Sequence, residues 1–196
     1  MCIRDSPRGV YERYLEDLIA LLELPGNVRR ASLDAPFAVD PSLPAFQPIN
    51  PIEAGGGVDP KTLEGIVADD VKATLAGNWK RGTGLKGFIG THYLYGTDGT
   101  ARFEFQIPES GQWDLRLSWL PHENRSTKTT VQVEVDGKLV KTELVDQSKP
   151  AKLKHGFHSL GTATLKMGSK VAITILTKGA NGNVHADAVL TVAAEG

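Results

Sequence analysis

The chain has 196 residues, 40% of them hydrophobic, enough for one domain with a real core plus a tail. Its 22 Lys and Arg offset 23 Asp and Glu to a formal net charge of -1, which argues against nucleic acid as a partner, because phosphate binding needs a basic footprint. The only cysteine, Cys2, excludes an intrachain disulfide and leaves the redox compartment open, and no apolar run approaches the roughly 18 residues of a membrane span.

Residues 1–6 fit poorly with the rest of the chain and read as a non-native N-terminal artefact, so that the chain is expected to be the C-terminal fragment of a longer protein; a genuine start at Met1 is the alternative. Residues 7–26 are predicted to be a helix from the end of an upstream domain. Ser6-Pro7 offers a cap and a first-turn proline, Val10, Tyr14, Leu18, Leu21 and Leu22 share one face, and Pro25-Gly26 ends it. Residues 27–64 contain prolines at 36, 41, 44, 48, 51 and 60 and the Gly55-Gly56-Gly57 joint, the composition of an extended linker.

From Gly65 to the C-terminus apolar and polar residues trade places with period two. Strands are predicted at 66–69, 73–80, 92–95, 101–107, 112–120, 129–135, 138–145, 157–165, 170–177 and 184–192. A turn at Gly96-Thr97-Asp98-Gly99 is expected to separate the third from the fourth. Phe103, Phe105 and Ile107 point one way, as do Trp113, Leu115, Leu117 and Trp119, and these mark the core. Asp136-Gly137 suits the positive φ angles of a type I′ hairpin. Nine or ten strands with no helix among them give an all-β fold, an antiparallel β-sandwich of jelly-roll or galactose-binding-like type spanning residues 65–196.

The chain lacks the Gly-x-Ser-x-Gly elbow, the phosphate loop and the paired histidines of a zinc helix. No cofactor and no metal is therefore expected, and no catalytic residue is assigned. Four segments merit weighing, each with two readings. Trp79, beside a glycine-rich loop, either stacks on the apolar face of a sugar or closes one end of the sandwich. Tyr93 and Tyr95 share a strand face that either lines a shallow groove or packs as half-core. His122, Asn124 and Arg125 gather donors and acceptors in one loop, to orient a hydroxyl-rich ligand or to tie the loop to its neighbours. His185 and Asp187 fall on one face of the last strand; a buried hydrogen-bonded pair that locks the strand is the structural reading, and a hydrolase is the alternative, for which a nucleophile is wanting.

These segments, in this order, resemble the domain shared by golvesin and xanthan lyase. Val67-Ala68-Asp69-Asp70 is similar to its opening Val-x-Asp-Asp, Gly77-Asn78-Trp79 to its Gly-x-Trp, and Gly90-Thr91-His92-Tyr93 to its Gly-x-x-Tyr. Asn124-Arg125 is similar to its Asn-Arg loop, and Ser159-Leu160-Gly161 and Ala186-Asp187-Ala188-Val189 to its closing strands. The resemblance covers about residues 65–194. One departure is Arg81-Gly82-Thr83, where the family often has Ser or Thr shortly after the Gly-x-Trp-x.

The resemblance implies a carbohydrate-binding-like accessory domain, extracytoplasmic, at the C-terminus of a larger bacterial protein such as a polysaccharide lyase, an amidase or an FAD-dependent oxidoreductase. The expected function is non-catalytic: binding a polysaccharide or glycan through Trp79, Tyr93, Tyr95, His122, Asn124 and Arg125, and tethering a host enzyme. The alternative is a structural domain that packs against and stabilises the host's catalytic domain, making that domain the partner.

Overall fold

A computed structural model describes residues 51–194. The expected artefact at 1–6, the helix at 7–26 and the linker from 27 to 50 lie outside the described residues. Residues 51–64, expected as the end of that linker, carry the one-turn helix α1 (Pro51–Ala54) and a 3-10 turn at Pro60–Thr62. They are also tied down. Val58 N donates to Phe88 O (2.7 Å), Gly90 N donates to Val58 O (2.9 Å), and Val58 and Leu63 pack on a cluster of Ile89, Phe157, Ala188 and Leu190. Proline richness masked this anchorage, because two apolar residues in a polar stretch show no periodicity.

Ten strands complete the domain: β1 (Ile66–Asp69), β2 (Thr74–Gly82), β3 (Tyr93–Gln106), β4 (Gly111–Ser118), β5 (Thr129–Val135), β6 (Lys138–Val145), β7 (Phe157–Leu165), β8 (Lys170–Leu176), β9 (Val184–Ala186) and β10 (Ala188–Ala193). All pairings between them are antiparallel. One sheet has the order β1-β10-β4-β7; the other has β2-β3-β8-β5-β6, with β9 also paired to β3. Inward side chains of both sheets meet in one core that includes Phe103, Leu117, Val131, Ile173, Ile175 and Val189, all fully buried. This is the expected antiparallel sandwich. Trp113 and Trp119 belong to its core, and their indole N–H groups donate to Glu109 O and Lys149 O. Among the described residues no helix is long and apolar enough to cross a membrane.

The β5–β6 hairpin has the predicted bounds, and Asp136 (φ 50°) and Gly137 (φ 75°) supply the two left-handed residues its turn requires. Two departures go beyond the residue or two by which the ends of β2, β4 and β8 differ from expectation. The Gly96–Gly99 turn signal is absorbed inside the single strand β3. There Asn78 pairs with Asp98 and Trp79 with Gly96, so Thr97 is the extra residue of a β-bulge. Conversely, the last predicted strand is split: β9 pairs with β3 in one sheet, β10 with β1 and β4 in the other, and the chain changes sheets at Asp187.

Candidate functional site

The bulge and the sheet change build one end of the sandwich. The first residues of β3 lie between β2 and β9: Tyr93 is opposite Gly82, and Tyr95 is opposite Lys80 on one side and His185 on the other. Strand alternation sends Leu94 into the core and turns both tyrosine rings the same way, 6.2 Å apart.

The loop after β4 closes over them. Arg125 forms an isolated bridge with Asn183, Ser126 N donates to Asn183 O, and Asn183 N donates to Asn124 O, both 2.9 Å. Asn181 Oδ1 accepts from Ser126 Oγ and Thr127 N. Gly182 makes this approach possible, since a Cβ there would lie 2.9 Å from Asn124 O and 3.0 Å from Arg125 C. Beneath the loop, fully buried Gln147 donates to His185 O and accepts from His185 N (both 2.8 Å), while its backbone N–H donates to Ser126 O. One residue thus joins β9, through its side chain, to the loop that carries Arg125, through its backbone N–H.

The result is a pocket of about 360 Å³ lined by Gly82, Gly84, Leu85, Tyr93, Tyr95, His122, Asn124 and Arg125. Five of the six residues expected to bind ligand stand in it. Tyr95 is half-buried and Asn124 exposed, whereas Tyr93 is buried, with Leu85 N donating to its hydroxyl (3.4 Å). His122 Nδ1 accepts from Asn124 N (3.3 Å), which leaves Nε2–H of the neutral ring as a donor. Arg125 is buried, its guanidinium 5.7 Å from the Tyr93 ring centroid and 5.5 Å from that of Tyr95, within cation–π range.

Trp79 is not among the lining residues. Its indole N–H donates to Ala76 O and Thr100 O, both 3.1 Å, and its ring lies over Gly96 and packs against the core. This matches the reading in which it closes the end of the sandwich. Register explains the displacement: on β2, Lys80 and Gly82 are opposite Tyr95 and Tyr93, so alternation turns Trp79, opposite Gly96, to the other face, the side of Leu94.

His185 and Asp187 do not form the expected pair. The residue that changes sheets no longer alternates with its neighbours, so the two side chains have different surroundings. His185 is fully buried and stacks on Tyr93 (centroids 4.7 Å apart, 25° between planes). Neither ring nitrogen has a hydrogen-bond partner among the described residues. Burial, aided by the nearby Arg125 charge, pushes its pKa well below the usual histidine value, so the ring is neutral. Asp187 accepts instead from Ile89 N (3.1 Å) and Ser118 Oγ (3.0 Å), and burial holds its pKa well above the ordinary carboxylate range. Both are inaccessible to solvent, which removes the hydrolase reading.

Asp187 belongs to a second, sealed cluster. Burial, then the charges of Asp69 and Asp187, push Asp70 up to about 8; burial pushes Asp69 up to about 6. His92 Nε2 stands 3.4 Å from Asp70 Oδ1, and Arg81 contributes positive charge nearby. Among the described residues no group of three or more His, Cys, Asp or Glu side chains is placed to hold a metal ion.

The residues that sequence reasoning passed over are Gly82, Leu85, Gln147 and Asn181. Gly82 and Leu85 lie in the glycine-rich stretch read as a plain loop. Gln147 and Asn181 lie in polar loops where nothing local distinguishes a buried amide from a solvated one.

The sequence model of the Golvesin C-terminal domain family matches residues 66–193, and the chain belongs to that family. Among solved structures, the Paenibacillus xanthan lyase matches with 28% identity and a TM-score of 0.58, over 66% of this chain and 13% of the lyase. A family 35 carbohydrate-binding module from Clostridium thermocellum matches with 17% identity and a TM-score of 0.49, over 67% of this chain and 100% of the module. No curated protein sequence matches.

Proposed function

From membership of the Golvesin C-terminal domain family, we propose that this domain is a non-catalytic accessory module that binds a polysaccharide or glycan in the Tyr93–Arg125 pocket. The observation that supports this most is the convergence of Tyr93, Tyr95, His122, Asn124 and Arg125 on one pocket, from strands and loops distant in sequence. Tyr95 offers a ring face for stacking, and His122, Asn124 and Arg125 offer hydrogen bonds to hydroxyl groups. Ring stacking and a few hydrogen bonds amount to about -4 to -6 kcal/mol, hence roughly millimolar to tens of micromolar affinity. Affinity electrophoresis of the full chain through gels containing neutral or acidic polysaccharides tests this reading. Retardation in at least one gel is expected, and unretarded migration in all of them, with the fold intact, overturns it.

The module is further proposed to tether a host enzyme, a polysaccharide lyase, an amidase or an FAD-dependent oxidoreductase, to an extracytoplasmic polysaccharide. Support comes from the xanthan lyase, in which the matched region is a small part of a longer chain. The upstream reading frame tests it: a catalytic domain there is expected, and a complete gene without one contradicts it.

A second reading, a structural domain packed on its host, is favoured by one feature. Leu139, Val140 and Leu144 of β6, an edge strand, are 55%, 59% and 66% exposed. Exposed apolar edges draw partners. Concentration-dependent self-association of the full chain, relieved by Leu144→Lys, is its expected sign, and a monomer at all concentrations counts against it.

A further inference from the structure

A buried guanidinium normally faces a carboxylate, because taking its charge out of water is otherwise costly. Arg125 does not. It is only 7% exposed, and it takes no part in the ion pairs among the described residues, which involve His92, Arg102, Arg116, Lys141, Lys149 and His158. Its Nε–H has no hydrogen-bond partner among the described residues. What surrounds it is neutral: the Tyr93 and Tyr95 side chains, and the imidazole of His185 that stacks on Tyr93. A side-chain hydrogen bond to Tyr93 and the contacts with both rings offset part of the desolvation, but the buried Nε–H stays without a partner and the charge itself is matched by no carboxylate. The one open side is the pocket, whose other lining residues, His122 and Asn124 among them, carry no carboxylate.

Building on the glycan reading, we infer that the pocket selects an anionic saccharide, with Arg125 taking a carboxylate or sulfate group of the sugar and Tyr95 covering the adjacent ring. The two oxyanions share the chemistry that a planar guanidinium recognises, paired acceptor oxygens for parallel N–H donors. The absent counter-ion is the ligand's own. A neutral sugar would leave the buried charge unmatched, so charge is the main discriminator and ring stereochemistry the lesser one.

The test is isothermal titration of the full chain with a galacturonic acid hexamer, its methyl ester, a sulfated galactose oligomer, a neutral galactose oligomer, and sodium acetate and sulfate. The acid or the sulfated oligomer is expected to bind roughly ten- to hundredfold tighter than the ester and the neutral oligomer. Arg125→Met should erase that gap, and Arg125→Lys should restore part of it. The acid–ester comparison needs no variant, so it decides even if Arg125→Met fails to fold. Equal or tighter binding of the neutral oligomer overturns charge selection while leaving the glycan reading intact. Binding of acetate or sulfate as tight as that of the charged oligomers overturns the saccharide part. No binding by any probe overturns both readings.

Discussion

Two regions at the same end of the sandwich bury charge in opposite ways. Around Arg125 a cation is buried among neutral rings with no carboxylate beside it. Around Asp70 three carboxylates, Asp69, Asp70 and Asp187, are buried, with His92 and the Arg81 charge nearby. The first region opens into a pocket; the second is closed by backbone, with Ile89 N bonded to Asp187. A guanidinium cannot shed its proton at neutral pH, so its charge persists and waits for a partner. A carboxylate can take one up, so a sealed cluster relaxes by protonation. The open region is the one we propose for recognition, and the sealed one makes stability depend on pH.

The contrast breaks most visibly at Gln147, which ties β9 to the Arg125 loop. Gln147→Ala leaves the His185 N–H and C=O and the Thr129 hydroxyl without their buried partner, and should cost about 2–4 kcal/mol in denaturant unfolding. The backbone N–H of residue 147 still donates to Ser126 O in the variant, so glycan binding should change less than stability.

The sealed side is sharpened by pH. Asp70 has a folded pKa of about 8 against an ordinary 3.8, so between those values the folded state holds a proton that the unfolded state has released. Its contribution is full at low pH and is lost as pH rises towards 8. His185, whose pKa is depressed, acts oppositely, favouring the fold above its ordinary 6.5 and losing that contribution as pH falls. Above pH 6.5 the histidine contribution is complete, and between pH 6.5 and 8 Asp70 alone should lower stability by about 1–2 kcal/mol, with raised Asp187 acting in the same direction. Asp70→Asn should reduce that slope, leaving the part carried by Asp187; an equal slope in the variant would show that Asp70 carries none of it.

On the open side, Tyr95→Ala should weaken glycan binding about tenfold, through loss of a stacking face, with a small effect on the unfolding midpoint. Trp79→Phe should do the reverse. It removes an N–H shared by two carbonyls, costs about 1 kcal/mol of stability and leaves affinity unchanged. The smallest effect belongs to Leu144→Ser, whose side chain is already exposed; stability should stay within about 0.5 kcal/mol and binding should not move.

What the sequence disclosed depends on the range of each signal. Period-two alternation reports which face of a strand is wet, so β5, β6 and β7 are legible to the residue. It does not report the partner sheet, so a run such as Val184–Val192 looks continuous although the chain crosses between sheets at Asp187. Glycine-rich tetrads announce a departure from straight strand without saying whether it is a turn or a bulge, which is why Gly96–Gly99 reads as a turn and is a bulge. Within the site, loop residues of mixed polarity stand out as a cluster, and Tyr93, Tyr95, His122, Asn124 and Arg125 meet in space. Trp79 does not join them because it pairs with Gly96, on the face of β2 and β3 opposite that of Tyr95. Gln147 is invisible in sequence, since its role depends on backbone atoms 38 residues away.

The most direct measurement is an amide chemical-shift map of the full chain titrated with an acidic oligosaccharide. The account predicts saturable shifts concentrated at Gly82–Leu85, Tyr93–Tyr95 and His122–Arg125, with β6 silent. Shifts confined to β6, or none at any ligand concentration, would contradict it.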